Sequence, residues 1–393
     1  MGAYYFHTFY REQPDLNATH PAIQDELRKI MAFWLRFGVD GFRVDAAPHM
    51  IADKRKPPGA AGPHHEVLRA LRRALDDLNP DGVLVGEVDV PPEELTAYFG
   101  DGDQFHLLFN FLLDNYIFLA LAREEAEPIG RVMERLLART HALTGGWLNF
   151  LRNLDELDLE RLSDGERRDV LRRFAPEESM TIYGRGARRR LAPMLRGNMD
   201  WIKMAYSLLF SLPGTPMLVY GEEIGMGDDL MLHGRNAVRV PMQWPDSLNG
   251  GFSTADPGRL IRPVLDEGPF SYHAVNVEAR IADRDSLLHA LKRIIRQRRS
   301  LPDFGESRFE AVASGEPSVL AFRVEGRHAR VLTVHNLSGS PRRARIPRSD
   351  VGGAVEELLA ERATAHDALD AVSVDLEPRG FAWYAVAGGR CRA

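Results

Sequence analysis

Cysteine is almost absent: Cys391, close to the C-terminus, is the only one in 393 residues. No internal disulfide can form, which fits a reducing compartment. The first residues carry neither a basic region nor an apolar run, so no signal peptide is read there. The chain begins Met1-Gly2, but Phe6 stands where an N-myristoylation motif needs Ser or Thr. No apolar run approaches the length of a membrane span. Positive charge is also not in excess. The 50 Lys and Arg face 56 Asp and Glu, for a net charge of −6, which argues against a nucleic-acid partner. In such an acidic chain the basic runs ARRR (187–190) and PRRAR (341–345) read as solvated surface. The expectation is a cytoplasmic protein with neither a membrane nor a nucleic-acid partner.

A hydrophobic content of 44% and a charged content of 27% are ordinary for a globular chain. Helical patterns alternate with short apolar strands from Met1 to about Ser300. Ile23, Leu27, Ile30, Met31 and Trp34 recur at helical spacing behind Pro21, and Gly38 ends that helix. Val67, Leu68, Leu71, Leu75 and Leu78 mark a second helix, closed by the turn Asn79-Pro80-Asp81-Gly82. The strand candidates are GFRVD, VLVGE, FHLLFNF (105–111), WLNFLRN (147–153) and TPMLVYG (215–221). Apolar strands alternating with helices imply a parallel sheet buried on both faces. No GxGxxG or P-loop pattern accompanies them, so a nucleotide-binding doubly wound sheet is disfavoured. A (β/α)₈ barrel predicts polar residues at the strand ends, and they are there. After Pro302 short β-like runs separated by Gly, Ser and Pro suggest an antiparallel β-sandwich. The expected fold class is therefore α/β: an incomplete (β/α)₈ TIM barrel over 1–300, then a C-terminal β-sandwich over 301–393. The run from Pro57 to Pro63 and the 225–260 region read as loops, the latter long enough to be functional.

Three acids stand where strands emerge. Asp45 closes GFRVD, with Arg43 two residues earlier on the same face. Glu87 follows VLVG, and Asp155 follows WLNFLRN. Alone, each has a bland reading: Asp45 as a helix cap, Glu87 and the pair Asp155-Glu156 as acids favoured at a helix start. Together they suit glycosyl transfer. One carboxylate attacks the anomeric carbon and another protonates the leaving oxygen, about 5–5.5 Å apart when configuration is retained. Neighbouring strands, about 4.8 Å apart, can meet that distance. An adjacent Arg keeps the nucleophile ionised, and burial near other acids raises the proton donor.

At these residues the chain resembles glycoside hydrolase family 13, the α-amylase family. GFRVDAAPH is similar to its nucleophile motif, GE (86–87) to its acid/base motif and FLRNLDE to its transition-state motif. The resemblance implies Asp45 as nucleophile, Glu87 as general acid/base, Asp155 as stabiliser, and Arg43 as the residue that orients Asp45. YYFHTFYREQPDLNATHPAI, GRGARRRLAPML, FSLPGTPMLVYGEEIGMGDDL and VPMQWPDSLNGGFS are similar to the branch that converts maltose to trehalose. Arg239, just before PMQW, corresponds there to a substrate-binding arginine; its bland reading is a solvated loop residue. The implied substrate is a small α-glucoside (maltose, trehalose or a malto-oligosaccharide), handled by intramolecular glucosyl transfer or by α-glucosidase-like or amylase-like hydrolysis. In that branch, closed loops keep water from the intermediate, and the 225–260 loops are the candidates for such a gate. No cofactor or metal is assigned; calcium is an expectation for longer relatives. An oligomer is left open.

The chain departs from the family in two ways. Leu154 stands where the family places a sugar-binding His, which removes a hydrogen bond typically worth about 0.5–1.5 kcal/mol. Only five strand candidates precede the sandwich, corresponding to barrel strands four to eight, whereas a barrel needs eight. The missing strands imply little activity from this chain alone. The alternative reading is a non-catalytic fragment or descendant that binds sugar or a partner.

Overall fold

The first long helix is set by its own ends. His20 Nδ1 accepts the N–H of Ala22 (3.2 Å), and Pro21 opens α1 (Pro21–Arg36), where proline's missing N–H costs nothing. Gly38 (φ +95°) turns the chain out of it. The computed structural model describes residues 4–54, 62–140, 145–301 and 303–387, with backbone only at 137–140. The proline- and glycine-rich run at 57–61, Pro302 and Cys391 lie outside the described residues. The chain divides into two compact units, Met1–Asn110 with Leu136–Leu148, and Phe111–Arg135 with Asn149–Ala393.

In the first unit, α1 leads into β1 (Gly41–Val44), the single turn α2 (Ala47–Met50), α3 (His65–Leu78), β2 (Val83–Gly86) and β3 (Leu107–Phe109); β4 (Gly146–Asn149) ends it. The strands lie parallel in the order β1-β2-β3-β4. Val44 is level with Gly86, Val85 with Leu107, and Leu107 with Gly146. Val67, Leu68, Leu71 and Leu75 of α3 pack with Leu84, Phe99, Phe105 and Leu108. Gly86 is required by this packing: a Cβ there would sit 2.6 Å from the Phe105 ring. Two expectations are corrected. The β1 side chains are not buried on both faces, and the apolar stripe of α1 is only half used. Met31 is buried, whereas Ile30, Phe33 and Trp34 are about half exposed.

The second unit begins with α4 (Phe111–Arg123) and the part of α5 (Glu127–Thr140) up to Arg135. A small antiparallel sheet follows, in the order β5-β7-β6, from β5 (Leu157–Asp158), β6 (Thr181–Ile182) and β7 (Gly186–Ala187). Between them α6 (Asp164–Phe174) starts on a reciprocal capping box of Ser163 and Glu166. Then come α7 (Leu191–Met194), α8 (Met199–Ser211), β8 (Thr215–Pro216), α9 (Val277–Ala282) and α10 (Leu287–Arg299). The expected strand TPMLVYG shrinks to two residues; Met217 N–H still donates to Asn149 O (2.7 Å).

An antiparallel sheet closes the chain: β9 (Arg308–Val312), β10 (Val319–Glu325), β11 (Arg330–Asn336), β12 (Arg342–Pro347), the turn α11 (Arg348–Val351), β13 (Val355–Asp367) and β14 (Ala371–Val386). β13 pairs with β14 along one edge; the other edge of β14 is shared by β12 (371–376) and β11 (381–385). The PRRAR run lies on β12, where Arg343 and Arg345 are exposed beside Asp375 and Asp370. No helix among the described residues is long and apolar enough to cross a membrane.

The sheet is joined to α8 by a buried polar knot. Ser207 Oγ meets His335 Nε2 (3.0 Å) and accepts Trp383 Nε1–H (3.0 Å). His335 stacks between Phe322 and Phe381, and its Nδ1 has no partner. Burial pushes its pKa down from 6.5 to about 3, because a second N–H would be stranded. His335 therefore contributes stability that is complete above pH 6.5 and is lost as pH falls towards 3. The slope from this one proton is at most about 1.4 kcal/mol per pH unit. His335→Gln should flatten the fall in urea midpoint between pH 6 and pH 4; the same slope in both proteins would refute it.

Candidate active site

The end of β1 and the end of β2 meet through one guanidinium. Arg43 Nη1 contacts Asp45 Oδ1 (2.9 Å), and its Nη2 contacts Glu87 Oε2 (2.7 Å). The Arg43 head lies 5.6 Å from the centre of the Phe109 ring on β3. After Val44 the ladder continues, with Glu87 N–H to Val44 O (3.0 Å) and Ala47 N–H to Glu87 O (3.0 Å). Ala46 sits in the left-handed region (φ 42°), unusual for a residue with a Cβ, and its N–H points at Glu87 Oε2 (3.1 Å). Neither acid serves a helix: Ala46, not Asp45, caps α2, without a side-chain bond, and Glu87 lies in coil.

The two carboxylates are unequal. The Asp45 side chain is 73% exposed and that of Glu87 is 17% exposed. Burial raises the Glu87 pKa above its usual value; Arg43 and the Ala46 N–H pull it down, and neighbouring Asp45 pushes it up. A buried carboxyl with a raised pKa beside an exposed one is the inequality that an acid/base and nucleophile pair requires.

Asp155 lies in the second unit, in the loop between β4 and β5 and not at a helix start. Its N–H is turned onto Asn153 Oδ1 (3.0 Å), and its carbonyl accepts from buried Arg152 (2.6 Å). Arg239, 84 residues later, reaches Asp155 Oδ1 (2.5 Å) and Leu154 O (2.7 Å). It is not a solvated loop arginine. Arg235 contacts the same Asp155 oxygen (3.3 Å) and forks onto buried Glu156 through Nε (2.5 Å) and Nη2 (3.0 Å). It also faces the Tyr183 ring. The structure thus gathers Arg43, Asp45 and Glu87 in one unit, and Asp155 with Arg239 in the other. Sequence reasoning missed Arg152, Arg235 and Glu156. Arg152 and Glu156 flank Asp155 inside the motif already singled out, and Arg235 lies one 3₁₀ turn before Arg239.

The ARRR run is likewise not solvated. Arg190 is 2% exposed; it bonds Glu222 Oε1 (3.1 Å), which also accepts Tyr206 O–H at Oε2 (3.1 Å).

Acids clamped by one arginine at the ends of parallel strands, ahead of an antiparallel sheet, fit the class of enzymes that act on glycosidic bonds. The chain belongs to the α-amylase family, glycoside hydrolase family 13: the profile described as "Alpha amylase, catalytic domain" matches residues 1–155 and 179–304. It is 39% identical to the trehalose synthase of Pimelobacter sp. (strain R48), over 98% of this chain and 69% of that protein. It is 40% identical to a trehalose synthase/amylase TreS of Mycolicibacterium smegmatis, over 86% of this chain and 59% of that protein. The chain thus spans less than two thirds of the length of the latter. The structure of α-amylase from H. orenii covers 96% of this chain, and 67% of itself, with a TM-score of 0.74 at 22% identity, a likeness of fold.

Proposed function

We propose that this chain processes α-glucosides by retaining double displacement, converting maltose to trehalose, with hydrolysis to glucose as the competing outcome. Asp45 attacks the anomeric carbon while Glu87 gives its proton to the leaving oxygen. The resulting glucosyl ester on Asp45 is broken by a hydroxyl, of glucose or of water, whose proton returns to Glu87. Asp155 is assigned the stabilisation of the positive charge on the sugar ring between these states, on the strength of its motif. Arg43 orients the nucleophile, and Arg239 holds Asp155 and contacts the second sugar. The observation that carries this reading is the Arg43 clamp on two carboxylates of unequal burial. On the same reading β1–β4 and β8 are strands four to eight of an incomplete (β/α)₈ barrel, residues 301–393 are a sandwich-like domain of their own, and the protein is cytoplasmic.

Maltose incubated with the purified chain should yield trehalose, with glucose as the minor product, both resolved by chromatography. Conversion of no α-glucoside would overturn the proposal. A non-catalytic binding role is the second reading, favoured by the exposed Ile30, Phe33, Trp34 and Phe37 on and just after α1. Sugar binding without turnover would support it.

A further inference from the structure

Three consecutive arginines after β7 hold one irregular loop, each at a different place. Arg188 takes three loop carbonyls: Leu230 O (2.5 Å), Leu232 O (2.7 Å) and Gly234 O (3.3 Å). Its Nε reaches back to Ser179 O (2.7 Å). Arg189 Nε and the Arg190 N–H both end on Asp228 Oδ2 (2.9 and 2.8 Å), at the start of the loop. The Arg190 guanidinium takes Val238 O (3.2 Å) at its end. Asp229 N–H to Ala237 O (2.9 Å) closes the loop on itself. The segment so held carries Arg235 and Arg239, the two residues that grip Asp155.

A loop without ladder hydrogen bonds has carbonyls to satisfy and backbone entropy to lose. A guanidinium meets both needs, because its donors lie in a fixed planar fork. Lysine keeps the charge, but its ammonium is a compact point with three donors and cannot span Leu230, Leu232 and Gly234 in the same way. Within the region that the sequence suggested as a gate, the segment 228–239 is pinned at its start, middle and end.

We propose that Arg188 is a positioning residue: by pinning the middle of this loop it fixes Arg235 and Arg239 on Asp155. It thereby governs how the glucosyl intermediate divides between a sugar hydroxyl and water. The inference rests on the function proposed above. In either branch the bond from the anomeric carbon to the Asp45 oxygen breaks, a bond to the incoming oxygen forms, and the proton of that oxygen passes to the Glu87 carboxylate. The branches differ only in the acceptor, so their ratio reports how well the sugar acceptor is held and water excluded.

The test uses the full chain, with Arg188→Met and Arg188→Lys. Two quantities are read: hydrogen exchange of peptides covering 228–239, and the trehalose-to-glucose ratio from maltose. Arg188→Met should speed exchange in these peptides about tenfold or more. It should lower the product ratio about ten- to hundredfold, and Arg188→Lys should fall between it and the parent. A ratio does not depend on how much of the sample is folded, so a merely structural role would leave it unmoved. If Arg188→Met does not fold, Arg188→Lys alone must show both changes. Unchanged exchange at 228–239 overturns the positioning role. Faster exchange with an unchanged ratio overturns the link to acceptor choice. If the parent converts no maltose, the proposed function fails, and the link to acceptor choice with it. The exchange data then still decide whether Arg188 positions the loop.

Discussion

Asp45→Asn should abolish glucosyl transfer, lowering maltose turnover by about 10⁴- to 10⁶-fold, the scale seen when a catalytic nucleophile or base is removed. A carboxamide cannot form the glucosyl ester, and it leaves Arg43 facing a neutral group where it now contacts a carboxylate. The Asp45 side chain is 73% exposed, so the substitution should change unfolding free energy by no more than about 0.5 kcal/mol. Intact stability with lost turnover separates this residue from a structural acid. The comparison with Glu87→Gln is informative because Glu87 is buried and accepts the Ala46 N–H, so both stability and rate should move. Assays of maltose conversion beside urea titrations read both. If Asp45→Asn keeps more than about one per cent of parental turnover, it is not the nucleophile.

Arg190→Met should destabilise the chain by about 3–5 kcal/mol, because it strands a buried carboxylate. Arg190 and Glu222 are 2% and 3% exposed. Without Arg190, Glu222 keeps the Tyr206 hydroxyl and the field of buried Arg152, and Val238 O and Tyr220 O lose a donor. Replacing both partners by methionine should recover much of the loss, since a well-packed apolar pair is often no worse than a buried ion pair. Urea midpoints of the single and double variants decide the matter. A single variant within about 1 kcal/mol of the parent would mean that Glu222 finds another partner or takes up a proton.

Part of this architecture is legible in the order of the amino acids. In the α3 stripe Val67, Leu68, Leu71 and Leu75 are buried as its period requires, while Leu78 in the last turn is exposed. The strand-end positions of Asp45 and Glu87 follow from short apolar runs, each read within a window of a few residues. β13 is not legible in that way. VEELLAERATAHD is rich in residues that favour helix, and its side chains, none of them fully buried, show no clean apolar alternation. It is a strand because β14 offers it an edge over 13 residues of length, and pairing outweighs propensity. The stripe on α1 has the right period, yet Ile30 and Trp34 stay about half exposed, because period reports a face and not what covers it.

The strand-end positions of Asp45 and Glu87, and the family to which the chain belongs, were legible in the sequence itself, whereas Asp155 lies in a loop six residues beyond β4. The strand-end positions depend on neighbours close in the chain, as does the Arg43 contact, which lies two residues from Asp45. The partners of Asp155 were decided by tertiary structure. Arg235 and Arg239 are 80 and 84 residues away from it and reach it only when the 228–239 loop is held in place. The same is true of the ARRR run, whose composition suggested a wet surface. Charge in a sequence does not say whether acids and carbonyls distant along the chain will close around it. Here Asp228, Glu222 and the loop carbonyls do, and burial turns a basic run into the clamp on the loop that grips Asp155.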